Sequence, residues 1–192
     1  MNPEIDKVIK EDKKRMDKSI EALKKDLGKI RTGRASLAIL DGIKINYYGT
    51  LTPINQVASL SIPDSKTIMI QPWEPKFIQE IEKAIANSDI GLAPVNDGKV
   101  IRLNIPPLTE ERRNELVKQT KKIIEQAKIA IRNIRRDMNE KLKALQKNKK
   151  ITEDELKKSH EKVQEITDEY IEKIDKIFEE KEKEIREVWF GG

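Results

Sequence analysis

The sequence predicts an α+β protein, an elongated three-helix bundle carrying a small inserted β/α/β domain. Three observations lead there. Stretches near both ends repeat apolar residues at steps of three and four, the mark of a helix with one buried stripe. A stretch between them alternates apolar and polar residues and is rich in turn signals. Pro106 and Pro107 then stop any helix from running back into that stretch.

The first helix is expected from residue 4 to about 30. Met16, Ile20, Leu23, Leu27 and Ile30 follow one another at steps of 4, 3, 4 and 3, a heptad seam that Ile5 and Ile9 extend. Asp12 and Lys13 interrupt this seam, so looser packing of the first turns is expected. RTGRAS, residues 31–36, ends the periodicity. The second long helix is expected over 109–146, with Thr109 as N-cap and Glu110 and Glu111 favourably placed in its first turn. Its seam runs through Leu116, Thr120, Ile123, Ala127, Ala130 or Ile131, Ile134, Met138, Leu142 and Leu145.

The third helix is expected over 152–189. Thr152-Glu153-Asp154-Glu155 reads as a capping box, with Ile151 and Leu156 at the staple positions. Val163, Thr167, Tyr170, Ile174, Ile177, Ile185 and Val188 make its seam, with Lys181 as an interruption. The second and third helices are each about 38 residues, or roughly 57 Å, long. The short link QKNKK between them forces an antiparallel hairpin. With one apolar stripe per helix, the first must lie in the groove of the other two.

Within 35–104, Ile43, Ile45 and Tyr47 alternate with Lys44, Asn46 and Tyr48 as in a half-buried strand, and Gly49-Thr50 reads as a turn. Further strands are expected at 57–62, 67–70 and 100–105, a short helix at 75–87 and a turn at Asn96-Asp97-Gly98. The domains are thus 1–30 with 108–192, and 35–104. Residues 31–34 and 105–107 are the two connecting strands: Arg31, Thr32, Gly33 and Arg34 on the way out, Ile105, Pro106 and Pro107 on the way back. Gly33 suits a positive φ there.

Composition excludes much chemistry. There is no Cys, which removes disulfides, thiolate metal sites and Cys nucleophiles. The single His160 cannot build a two-His metal site and reads as a surface residue. GKIRTGRA, residues 28–35, superficially resembles a phosphate-binding loop, but Arg and Ala follow its second glycine and a helix precedes it. No catalytic residue and no metal or cofactor site is expected. Trp73 and Trp189 read as packing residues rather than base-stacking platforms. No apolar run approaches the ~20 residues that span a bilayer. With no apolar stretch at the N-terminus either, cytoplasmic placement is expected.

The net charge of +5 is unevenly spread. Residues 105–150 carry 14 Lys/Arg against 6 Asp/Glu, whereas 151–192 carry 8 against 14. Lys118, Lys121, Lys128, Arg132 and Arg135 return to one helix face, interrupted by Glu125 and flanked by Arg136 and Arg113. Two readings stay open: pairing with the acidic third helix, or a basic face for RNA, whose phosphates arginine forks match.

Several strings in order resemble one family: IRTGRAS at 30–36, YYGT at 47–50 with Thr52-Pro53, Ser88-Asp89, Gly91-Leu92, IPPLTEERR at 105–113, AIRNIRRD at 130–137 and Ile166-Thr167-Asp168. The chain resembles the bacterial-type ribosome recycling factors over nearly its whole length. The resemblance implies an L-shaped two-domain molecule and a monomeric, non-enzymatic partner of the ribosome. Such a factor acts after termination and, with elongation factor G and GTP, splits the subunits. It further implies that Arg132, Arg135 and Arg136 meet large-subunit rRNA, with Arg31 and Arg113 in the same surface region, and that the two connecting strands are hinges. The tail from Val188 to Gly192 departs from the family pattern, and only capping of the bundle end is expected of it. The alternative is a coiled-coil RNA-binding or scaffold protein without recycling activity.

Overall fold

The computed structural model describes residues 2–187. The chain divides into two compact units, one holding the residues up to Thr32 and from Glu110 onward, the other Gly33–Thr109.

The first unit is a bundle of α1 (Pro3–Gly28), α3 (Glu110–Lys147) and α4 (Glu153–Arg186); α2 (Ile78–Ala86) belongs to the second unit. Asn2 caps α1 by accepting from the Glu4 N–H, and its amide donates to the Lys150 carbonyl in the α3–α4 turn. Thr152 and Glu155 form both hydrogen bonds of the capping box, at 3.1 and 2.9 Å, and Ile151 before them is buried. In the turn, Lys149 takes φ +59 and its N–H donates to the Gln146 carbonyl. Ion pairs fix the register of α1 on α3: Asp12 meets Lys141 and Arg15 meets Asp137, so the two helices run antiparallel. Met16, Leu23, Ile131, Met138, Leu142, Val163, Tyr170 and Ile174 fill the shared core.

Asp12 corrects the expectation of loose first turns. Its carboxylate is fully buried at a seam position, taking Lys141 Nζ at 2.9 Å on both oxygens and Arg15 at 2.9 Å. The seam thus continues through a charge neutralised from two sides. Lys181, the interruption in α4, is nearly covered and lies 3.5 Å from Glu184. The helix ends at Arg186, and Val188, Trp189 and the rest of the tail lie outside the described residues.

The second unit contains β1 (Lys44–Tyr47) and β2 (Thr50–Pro53) as an antiparallel hairpin. β3 (Ala58–Asp64), β4 (Thr67–Pro72), β5 (Pro94–Asn96) and β6 (Ile101–Asn104) form an antiparallel sheet of order β3-β4-β6-β5. On one face, Ile68 pairs with Leu103 and Ile70 with Ile101, and all four are fully buried. Ile78, Ile81 and Ile85, spaced three and four apart on α2, join the same core. Residues 50–53 are strand rather than only turn, and β5 adds a strand that the sequence does not signal. β5 is a three-residue edge beginning at Pro94, a position where a missing N–H costs no ladder bond.

Both ends of the inserted chain hang from one turn. The Ala35 N–H donates to the Ser65 carbonyl and the Ile105 N–H to the Lys66 carbonyl, each at 2.7 Å. Ile105 is also buried in the inserted core, so it belongs to that unit and not to a free connecting strand.

Candidate nucleic-acid interface

α3 carries the basic face on 38 uninterrupted helical residues. Not every predicted residue contributes alike. Lys128 is largely covered and its ammonium lies 2.6 Å from Asp175 of α4, which is the pairing alternative realised at that position. Arg135 is half-buried and donates to Gln164 of α4 at 3.2 Å. Arg132 is exposed, with Glu125 of its own helix at 4.0 Å, a contact too long and too wet to neutralise it. Lys118, Lys121 and Arg136 are exposed and make no ion pair with another described residue.

Arg113 departs from its expected place beside the stripe. It precedes buried Leu116 and Val117 by three and four residues, which turns it toward their side of α3. It is half-buried, with its Nε buried and without a hydrogen-bond partner among the described residues. Arg31 lies past the end of α1 and is exposed. Of the expected stripe and its flanks on α3, Lys118, Lys121, Arg132 and Arg136 are therefore the cations that stay exposed without a close partner on another helix among the described residues. Sequence reasoning missed Ile129, which is 50% exposed on α3 three residues before Arg132 and seven before Arg136. The signal was an isoleucine off the seam.

Near the connecting strands, Thr32 Oγ1 donates to Glu184 of α4 at 2.8 Å, tying the end of the first strand to the bundle. Gly33 has φ +79, and a Cβ there would lie 2.9 Å from Leu108 Cγ. Two requirements thus fix glycine at this position: the left-handed backbone and the side chain of the returning strand.

His160 is half-buried rather than a plain surface residue. Its Nδ1 lies 2.6 Å from Asn139 Oδ1, and burial, with Lys143 next, lowers its pKa. Trp73 is 64% exposed, contrary to the expected packing role, because it sits in the bend after β4 with no ring against it among the described residues. Among the described residues, no group of His, Asp and Glu could hold a metal ion, and no helix is long and apolar enough to cross a membrane.

The fold is thus a discontinuous helical bundle with an exposed cationic helix face and a small β-sheet unit inserted between its first and second helices. Comparison with known proteins makes this particular. The family model described as ribosome recycling factor matches residues 23–185. The ribosome-recycling factor of Oleidesulfovibrio alaskensis is 54% identical over 96% of this chain and 100% of its own length. That of Desulfosudis oleivorans is 56% identical over 94% of this chain and 98% of its own. The solution structure of a ribosome recycling factor matches with a TM-score of 0.73 at 42% identity, covering 98% of this chain and all of that one. A T. thermophilus factor, in models with E. coli elongation factor G on the E. coli post-termination complex, matches with a TM-score of 0.61 at 45% identity, covering 94% and 98%. The chain belongs to the ribosome recycling factor family.

Proposed function

We propose that this chain binds the post-termination ribosome through the α3 face of its bundle and, with elongation factor G and GTP, splits the subunits and frees them from mRNA. The observation that carries the reading is the set of uncompensated cations Lys118, Lys121, Arg132 and Arg136 on one long helix, within a chain of the recycling family. Each can meet an rRNA phosphate without first breaking a strong internal pair. Arg135 needs only to leave a neutral amide, so it joins the set on binding. Lys128 and Arg113 serve the bundle first: one is paired to Asp175, the other half-buried.

The chain is not an enzyme, and the GTP is hydrolysed by elongation factor G. It works in the cytoplasm as a monomer. Thr32–Gly33 and the segment from Pro106 to Thr109 act as the hinge, since Ala35 and Ile105 are already pinned to the inserted unit. On this reading the bundle grips rRNA while the partner factor drives the other unit. Light scattering of post-termination ribosomes tests it directly. Splitting is expected only when this chain, elongation factor G and GTP are all present, and binding to the large subunit should fall steeply with salt. Salt-insensitive binding, or no splitting, would leave only the scaffold reading.

A further inference from the structure

Among the described residues, Ile129 is the only large apolar side chain that the bundle exposes, at 50%; every other exposed one lies in the inserted unit, Gly33–Thr109. A lone exposed isoleucine is ordinary on a protein surface, but the place of this one is not. Thr120 lies nine residues before it and Met138 nine residues after it, and both are fully buried. Nine residues make two and a half turns at about 3.6 per turn, so Ile129 stands directly opposite the seam, at the middle of the outer face of α3.

Its neighbours on that face, three, four and seven residues away, are Lys122, Glu125, Gln126, Arg132, Asn133 and Arg136, all of them exposed and none apolar. Three are cations and one is an anion, so the isoleucine is set in a net positive field. The helix does not gain by it. A side chain branched at Cβ is a poorer helix former than the Lys, Arg or Gln around it. The core does not gain either, because the side chain faces water on the far side of α3.

The cations select a phosphate backbone, but the isoleucine cannot serve it. An aliphatic group offers phosphate no hydrogen bond and takes water from it at a cost. The broad apolar surface of RNA is the face of a base, and in a regular helix each base face is covered by its neighbours; only loops, bulges and ends turn bases out. We infer that Ile129 is the dry centre of the α3 interface, packed on the face of an unstacked base, with Lys122, Arg132 and Arg136 on the phosphates around it. This rests on the function proposed above, which supplies rRNA as the partner. It adds that α3 reads an irregular RNA site, not only the charge of a continuous duplex. An apolar centre ringed by polar contacts that keep water out is also the place where one side chain contributes most to binding.

Binding to purified large subunits across a salt series separates the two kinds of contact. Arg132→Ala should lower affinity and flatten the salt dependence by about one unit of slope, since one phosphate contact is lost. Ile129→Gln should weaken binding about fivefold at every salt concentration, with the slope unchanged. Gln is the better helix former, so the melting temperature should equal or exceed that of the wild type, and unfolding does not explain the loss. Ile129→Leu keeps the apolar area and should recover most of the affinity. At saturation the wild type should shield an unpaired base from dimethyl sulfate. Ile129→Gln should lose that shielding and keep the hydroxyl-radical footprint on the sugars. Wild-type affinity in Ile129→Gln, or weaker binding with a changed slope, overturns the inference. So does unchanged base shielding, or a difference confined to the sugars, which would put a ribose against Ile129. A wild-type dimer that Ile129→Gln dissolves would give the residue to a second copy and also overturn it. Wild-type chain that fails to bind the large subunit overturns the functional reading, and with it this one, before any variant is compared.

Discussion

The bundle and the inserted unit bury similar aliphatic side chains and expose different surfaces. In the bundle each helix buries one stripe, and the remaining faces are charged; α3 keeps Lys118, Lys121, Arg132 and Arg136 in solvent. In the inserted unit α2 and the sheet close over an isoleucine-rich core, and the exposed large side chains include Tyr48, Leu51 and Trp73. A rigid charged rod suits a polyanion. The two separately cored units thus expose surfaces of different chemistry.

Separate cores predict separate responses to damage, and the largest effect comes from emptying one. Ile131→Ala in the bundle and Ile70→Ala in the inserted unit each remove a side chain with no exposed surface, at an expected cost of about 2–5 kcal/mol. Calorimetry should show each variant lowering the unfolding of its own unit and leaving the other in place. Two transitions that always move together would break the comparison.

A smaller effect probes the bundle alone. Asp12→Ala leaves Lys141 and Arg15 without their shared anion, but both are nearly half exposed, so water takes up the charges. A loss of about 1–2 kcal/mol is expected, below the range for fully buried pairs. Asp12→Leu restores an apolar seam and should match or exceed the wild type in chemical denaturation. If Leu at this position costs as much as Ala, the carboxylate itself is required, and the bundle depends on its ion pairs more than on its seam.

The two units also differ in how far the sequence reveals them. The long helices were legible because a three-and-four repeat over many turns averages out single exceptions, and the capping box at Thr152 is a local signal that the structure realises with both hydrogen bonds. Asp12 was misread because the repeat tests only for apolar residues, and its partner Lys141 lies far along the chain. In the inserted unit β4, β6 and α2 were legible from their isoleucines. β2 was not, since its four residues include no buried one, and β5 has only three residues. The candidate rRNA face was half legible. Helical spacing puts the cations on one face, but only three-dimensional neighbours separate Lys128, paired to Asp175, from Lys118 and Lys121. Trp73 was not legible because a lone aromatic in a bend carries no periodicity, whereas Ile129 stands off the seam of α3, a mark that the spacing does carry.

If the bundle grips and the inserted unit is moved, the rate of subunit splitting against factor concentration shows it most directly. Arg132→Ala combined with Arg136→Ala weakens the grip, so more factor should restore the wild-type rate at saturation. Gly33→Ala puts a Cβ 2.9 Å from Leu108 Cγ on a backbone at φ +79, which strains the hinge and leaves the α3 face intact. Its half-saturating concentration should be that of the wild type, while its saturating rate falls several-fold at a concentration where ribosome binding is complete. If extra factor rescues Gly33→Ala and fails to rescue the arginine pair, the roles are reversed and the account is wrong.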